Sequence, residues 1–222
     1  MKTHKKRKKL RIKRLLLVLF ILFVIPFLCV KISSIPIKSI IIKNNEILTD
    51  YEIIKEARLE NYPSFIKSFS FSIKNRLKKN KYIEDVKVRK GLFSITIDVK
   101  ENKVLYIDSK TDEKIMLNSK IKDDKNLCVP YLINEVPSSK KEDFIKGMNK
   151  IDKDMLCLIS EIKFDPNEID KDRFFLYMND GNIVYLTINK FEKINKYNKI
   201  LENVGKQNGV LYLDYGDYFE IK

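Results

Sequence analysis

Residues 15–30 read LLLVLFILFVIPFLCV, sixteen positions without a charge, behind a tail of fourteen residues that holds nine basic side chains and no acid. Next to such a tail, this run reads as a membrane span. A hydrocarbon core of about 30 Å takes about 20 helical residues. Leu10, Ile12 and Ile32 extend the apolar length, and Arg11, Lys13, Arg14 and Lys31 flank it. Long basic side chains reach the headgroups from such positions. Pro26 fits, because transmembrane helices accommodate proline better than soluble ones. A cleaved signal peptide wants small residues before the cut. Phe27-Leu28-Cys29-Val30 offers none, and bulky Leu28 stands where a lipidated Cys29 needs a small neighbour. The expectation is an uncleaved anchor spanning 15–32. The positive-inside rule then makes Lys5, Lys6, Arg7, Lys8, Lys9, Arg11, Lys13 and Arg14 the topology signal. It keeps the tail (1–14) cytoplasmic and the rest of the chain outside.

The formal net charge is +14, and only +5 of it belongs to the chain beyond the tail. Lysine clusters attract phosphates, but beside a span they set topology and attract anionic lipid. The membrane is therefore an expected partner and nucleic acid is not. Hydrophobic residues make up 44% of the chain, enough for a core and against wholesale disorder.

Beyond the span, 33–37 is a short linker in which Pro36 disfavours helix at Ile35. Residues 38–43 are β-branched and read as a strand. Thr49 and Glu52 have capping-box spacing, with Leu48 and Ile53 placed as its hydrophobic staple, so a helix is expected to about Leu59. Phe69, Ile73 and Leu77, at i, i+4 and i+8, predict a second helix over 68–80. Strands follow at 82–89, with Val86 and Val88 inward, and at 92–100, where Ile95, Ile97 and Val99 alternate with polar residues. The order is β-α-α-β-β, two helices on a three-stranded sheet.

From Lys103 the pattern is mostly strand. Ser139 and Glu142 predict a second capping box opening a helix that carries Phe144, Met148 and Ile151. Strand patterns at 173–178 and 183–188 surround Asn179-Asp180-Gly181-Asn182, a hairpin signal. Phe191, Ile194, Tyr197, Leu201 and Val204 mark an amphipathic helix, and strands at 210–214 and 218–221 close the chain.

Chemical motifs are sparse. The one histidine, His4, lies in the tail, so no Ser-His-Asp or Cys-His site is expected outside the membrane. Cys128 and Cys157 are able to pair in an oxidising compartment, but the expectation is two buried thiols. Asp165, Asn167, Glu168, Asp170 and Asp172 lack the EF-hand pattern, since its sixth position takes Gly and here is Asp170; a solvated turn is expected. No catalytic residue, metal or cofactor is assigned. A carboxylate pair, as in an anchored cell-wall hydrolase, stays open as an alternative. At the end of the chain, Tyr212, Tyr215, Tyr218 and Phe219 read either as sheet packing or as a terminal edge strand offering its backbone to a partner strand.

The layout resembles the FtsQ/DivIB family of bacterial cell-division proteins. The resemblance rests on the tail and span, on IKSIIIKNN (37–45), and on Leu48-Thr49 followed by Glu52-Ile53-Ile54. It continues through NKYIEDVKV (80–88), ITIDVKE (95–101) and LYLDY (211–215). Asn102-Lys103 departs from the Arg and Pro frequent in the family. The resemblance implies an α+β protein with a single transmembrane helix. A POTRA-like domain (33–102) and a mostly antiparallel β domain with helices (103–222) follow. Many members carry a polar tail after the β domain, which is expected to be missing beyond Lys222. It further implies a non-enzymatic divisome scaffold at the division septum. Its partners would be FtsL-like and DivIC/FtsB-like bitopic proteins, with other divisome components at the POTRA-like domain. The partner-binding residues carried over are Val210, Leu211, Tyr212, Leu213, Asp214 and Tyr215. The Lys-, Asn- and Ile-rich composition favours a Gram-positive DivIB. A POTRA-containing ring or secretion component of sporulation is the other alternative.

Overall fold

In the computed structural model, residues 12–205 and 207–222 are described. Lys5, Lys6, Arg7, Lys8, Lys9 and Arg11 of the expected topology signal lie outside them. The first element is helix α1 (Ile12–Ser33), which contains Pro26. Its 22 residues make about 33 Å at 1.5 Å per residue, enough to cross a bilayer core. Most of the large apolar side chains from Leu16 to Ile32 are exposed. A helix apolar all round needs an apolar surrounding. Among the described residues it is the one helix long and apolar enough to cross a membrane.

The chain divides between two compact units, α1 belonging to the first. Unit 1 comprises the residues up to Asn80 together with Asp85–Lys100. Strand β1 (Ser39–Lys43) leads to α2 (Asp50–Ala57) and α3 (Ser70–Leu77), then β2 (Ile83–Lys90) and β3 (Ser94–Glu101). The sheet order is β1-β3-β2, with β1 parallel to β3 in the register Ser39↔Ser94 to Lys43↔Asp98. A parallel pair needs a long crossover, and α2, α3 and β2 supply it. Ile53, Ala57, Ile73, Leu77, Val86, Ile95, Ile97 and Val99 form the core.

Thr49 and Glu52 close the predicted capping box. The helix stops at Ala57 rather than Leu59, because Arg58 turns left-handed at φ 57°. The second helix is also shorter than its pattern. Phe69 is the extended residue before it and is exposed, so only Ile73 and Leu77 of the triplet are buried.

Unit 2 comprises Lys81–Glu84 and Glu101–Lys222. It runs through β4 (Val104–Asp108), β5 (Glu113–Met116), β6 (Lys120–Ile121) and β7 (Tyr131–Leu132), then α4 (Ser138–Asn149) and α5 (Lys153–Leu156). Then come β8 (Ile159–Phe164), β9 (Arg173–Met178), β10 (Ile183–Thr187) and a 3-10 helix (Ile188–Lys196). α6 (Tyr197–Asn203), β11 (Gly209–Tyr212) and β12 (Tyr218–Ile221) end the chain. One nine-stranded sheet holds them in the order β12-β11-β10-β9-β8-β7-β4-β5-β6. Five neighbouring pairs are antiparallel; β10–β11, β4–β7 and β7–β8 are parallel. α4 and the 3-10 helix cover one face. Phe144 stacks on Phe174 at 4.8 Å between ring centroids, and Phe191 meets both rings edge-on. Gly147 allows this approach, since a Cβ there would lie 3.0 Å from the Phe191 ring.

Three expectations are corrected here. The Ser139–Glu142 capping box does not form. Pro137 occupies the cap position, the helix opens at Ser138, and Glu142 pairs with Lys146 one turn on. The helix expected from Phe191 to Val204 is a 3-10 helix up to Lys196 and α-helix after it. Phe191, Ile194 and Tyr197 recur every third residue, which is the 3-10 period. The two outer cysteines are not a pair of buried thiols. Cys128 is exposed and bonded to Cys157, their Cα atoms 4.8 Å apart. The parallel β7–β8 register, Tyr131↔Glu161, brings the segments before these strands side by side.

The acidic stretch is a turn tied to itself and to basic neighbours. Asn167 Oδ1 accepts from the Ile169 and Asp170 amides. Asp165 pairs with Arg173, and Asp172 with Lys140.

Candidate partner-binding edge

The end of the nine-stranded sheet is built by the last fourteen residues. β11 lies parallel to β10 (Ile183↔Val210, Tyr185↔Tyr212) and antiparallel to β12 (Gly209↔Ile221, Tyr212↔Tyr218). Residues of Val210–Tyr212 are therefore paired on both sides, and the open edge is β12. Of the C-terminal aromatic cluster, Tyr218 and Phe219 lie on this edge and Tyr212 on the strand behind it. Val210, Leu211 and Leu213 are buried, and Tyr212 and Asp214 half-buried. Tyr215 is 81% exposed in the β11–β12 connection.

A buried Asn182 pins the start of β11. Its side-chain carbonyl accepts from the Gly209 amide at 2.7 Å, and its Nδ2 donates to the Tyr197 hydroxyl at 2.8 Å. Tyr197 in turn donates to Asp180 at 2.8 Å. Burial, reinforced by the bond to Asp180, holds this phenol well above its ordinary pKa. Gly209 has no alternative: a Cβ would run into the Glu220 carbonyl and the Phe219 ring. Gly216, at φ +100°, makes the turn into β12. Lys193 grips both Asp217 oxygens at 2.8 Å and holds that carboxyl below its usual range, while Lys190 donates to the Asp214 carbonyl.

One face of this end of the sheet carries an aromatic ladder. Phe175, Tyr185, Tyr212 and Tyr218 meet strand by strand. Their centroids lie 5.1, 5.3 and 4.6 Å apart, and the Arg173 guanidinium sits 4.6 Å over Tyr185. Tyr177 extends the row beside Phe175 at 4.4 Å. Burial, then the bond to Glu220, raises the Tyr212 pKa. The C-terminal tyrosines are visible in the sequence; their continuation onto β9 and β10 is not. The alternation of Arg173, Phe175 and Tyr177 with buried Phe174, Leu176 and Met178 was the available signal.

Such an edge suits recognition of an extended chain. Backbone groups of an edge strand give affinity, and side chains on either face give selectivity. The long strand β2, one edge of the three-stranded sheet, is blunted by Glu84, Lys87, Arg89 and Lys90, the usual guard against strand pairing. β12 carries Tyr218, Phe219 and Ile221 with one acid.

The structure is that of an α+β protein with an N-terminal helix of membrane-spanning length, a β-α-α-β-β unit and a large mixed sheet ending in an open aromatic edge. Residues 35–102 match the POTRA domain, FtsQ-type, and residues 100–216 match the C-terminal domain of cell division protein FtsQ/DivIB. The chain belongs to the FtsQ/DivIB family of cell division proteins. It is similar to cell division protein DivIB of Listeria monocytogenes, with 29% identity over 99% of this chain and 85% of that one. DivIB of Bacillus subtilis is 25% identical over 97% of this chain and 87% of its own length. DivIB of Staphylococcus pseudintermedius is 31% identical over 72% of this chain and 56% of its own. The family consists of scaffold-type division proteins acting in division complexes, not known enzymes. With its apolar N-terminal helix, the chain fits a membrane-anchored division protein.

Proposed function

We propose that this chain is a bitopic, non-catalytic scaffold of the division septum. It holds DivIC/FtsB-like and FtsL-like bitopic proteins outside the membrane. In this reading 1–14 is the cytoplasmic tail and 15–32 the span, a POTRA-like domain over 33–102 receives other divisome components, and 103–222 is the β domain. The single observation that carries it is the open β12 edge beside the aromatic ladder. An extended partner segment would add as the next strand outside β12. Tyr218 and Tyr215 would contact it, and Tyr212 and Asp214 would support the edge from behind. Val210, Leu211 and Leu213 would hold β11, on which β12 rests.

The test is binding of a DivIC/FtsB-like ectodomain to the full chain in detergent micelles. Removing 210–222 would strip β10 as well, so substitutions on the edge itself are cleaner. Tyr218 and Ile221 are exposed. Tyr218→Lys with Ile221→Lys should leave the melting temperature close to that of the parent and weaken binding at least about tenfold. Unchanged affinity would reject the edge as the site.

A further inference from the structure

Both halves of the β-α-α-β-β unit's connectivity converge where α1 ends. β1 and β3 are parallel, so Ser39 and Ser94 lie at one end of the sheet. The loops of that end are bonded to the segment leaving α1. Ser64 Oγ donates to the carbonyl of Ser33, the last residue of α1. The Phe65 amide donates to Ile35 at 2.9 Å, Ile37 to Pro63 at 3.0 Å, and Lys38 to Phe93 at 2.7 Å. Pro63, Ser64, Phe65 and Phe93 are thus bonded within a few residues of the point where α1 would leave the bilayer, and residues 66–71 and 91–92 adjoin them in the chain.

Large apolar side chains meet solvent at this end, interleaved with the exposed charges of Glu60 and Lys67. Tyr62, Ile66, Phe69, Phe71 and Leu92 are all exposed, Phe71 at 73% and Leu92 at 87%. Outside α1, the other large apolar residues exposed in this unit are Ile41 and Tyr51. Basic side chains rim the patch. Lys90 lies 4.1 Å over the Phe65 ring, Lys38 lies 5.3 Å over Phe93, and Lys67 is exposed. Phe93 is itself left-handed, at φ 57°, a costly conformation for an aromatic residue. Soluble surfaces rarely gather this much apolar side chain in one place. Aromatic and aliphatic residues ringed by lysine match a headgroup–acyl boundary with anionic lipid.

We infer that the end of this unit from which α1 emerges, bearing Ile66, Phe69, Phe71 and Leu92, inserts into the interface of the bilayer that α1 crosses. The inference rests on α1 being a membrane anchor. The rim lysines contact phosphate headgroups, and the apolar side chains reach about 5–10 Å below them. Anchored at α1 and at this end, the unit is restrained against swinging on its tether.

The chain contains no tryptophan, so single substitutions report single positions. The full-length protein is reconstituted in vesicles of phosphatidylcholine and phosphatidylglycerol, with and without bromine on the acyl chains. Phe20→Trp reports α1, Leu92→Trp the patch, and Tyr51→Trp the first turn of α2 beyond the opposite end of β1. The expected result is that bromine removes roughly half or more of the emission for Phe20→Trp and Leu92→Trp, and less than about a tenth for Tyr51→Trp. Quenching at Phe20→Trp without quenching at Leu92→Trp overturns the inference and leaves the anchor standing. Quenching at neither overturns the anchor and the inference together. Equal quenching at Tyr51→Trp overturns the assignment to this end. The vesicles hold no second protein, so quenching at Leu92→Trp cannot come from a protein partner.

Discussion

Asn182 sits in the turn between β9 and β10, where the sequence signals a hairpin and little else. Its side chain is nevertheless buried and bonded through both its oxygen and its nitrogen. It accepts from the Gly209 amide and donates to Tyr197, whose hydroxyl is committed to Asp180. One polar side chain thereby couples the hairpin, α6 and the start of β11. Asn182→Ala leaves the Gly209 amide buried without an acceptor. A buried donor stripped of its partner costs about 1–3 kcal/mol. A drop of that size in unfolding free energy should appear in urea titration. Asn182→Asp keeps an acceptor toward Gly209 but loses the donor to Tyr197 and buries a carboxylate beside Asp180, so at neutral pH it should recover none of the loss. If Asn182→Ala unfolds like the parent, the amide has found water and the clamp has no energetic role.

At the scale of elements, α3 is held to β2 by charge as well as by Ile73 and Leu77. Lys74 and Lys78 both reach the Asp85 carboxylate, at 3.2 and 2.8 Å. Lys78, the Val86 amide and then Lys74 hold the Asp85 carboxyl far below the usual carboxylate range. A depressed folded-state pKa stabilises above the unfolded value of about 3.9 and is lost as pH falls through the folded one. Asp85→Asn should therefore be less stable than the parent at neutral pH, and the difference should close as pH falls below about 4. Urea midpoints between pH 2 and 7 check it, and a difference independent of pH would exclude the charge as its cause. The elements themselves were largely legible in the sequence, because alternation at Ile95–Val99 and capping at Thr49 are local signals. The features that define the candidate site were not. Whether β11 or β12 is the edge depends on β10 pairing with a strand 27 residues away (Ile183↔Val210), and no local pattern encodes that choice. The aromatic ladder likewise needs the registers of four strands. The disulfide needs β7 and β8 to lie side by side, which two-residue β7 scarcely announces. The 3-10 helix was written in its three-residue spacing but looks like an α pattern when helix is assumed.

For the whole molecule, the anchor and the disulfide make one joint demand. If α1 crosses the membrane with its basic flank inside, everything after Ser33 lies outside, where cysteine pairs persist; in the reducing cytosol they do not. Cys128 is at the surface of unit 2 and bonded to Cys157, 29 residues on. Closing a loop of that length removes conformational freedom from the unfolded chain worth about 3–4 kcal/mol in the chain-entropy account. The bond therefore matters most if the body folds after translocation. Cys128→Ser with Cys157→Ser should unfold at lower urea by about 2–4 kcal/mol, and the parent treated with reductant should follow it. Protein taken from membranes and alkylated before lysis should give a peptide joined through Cys128 and Cys157. Protease added to intact protoplasts should remove that peptide and spare the N-terminal tail. Free, alkylated Cys128 in protein from growing cells would put the body on the reducing side. The proposed topology would then fail, and with it every contact assigned to the outer face.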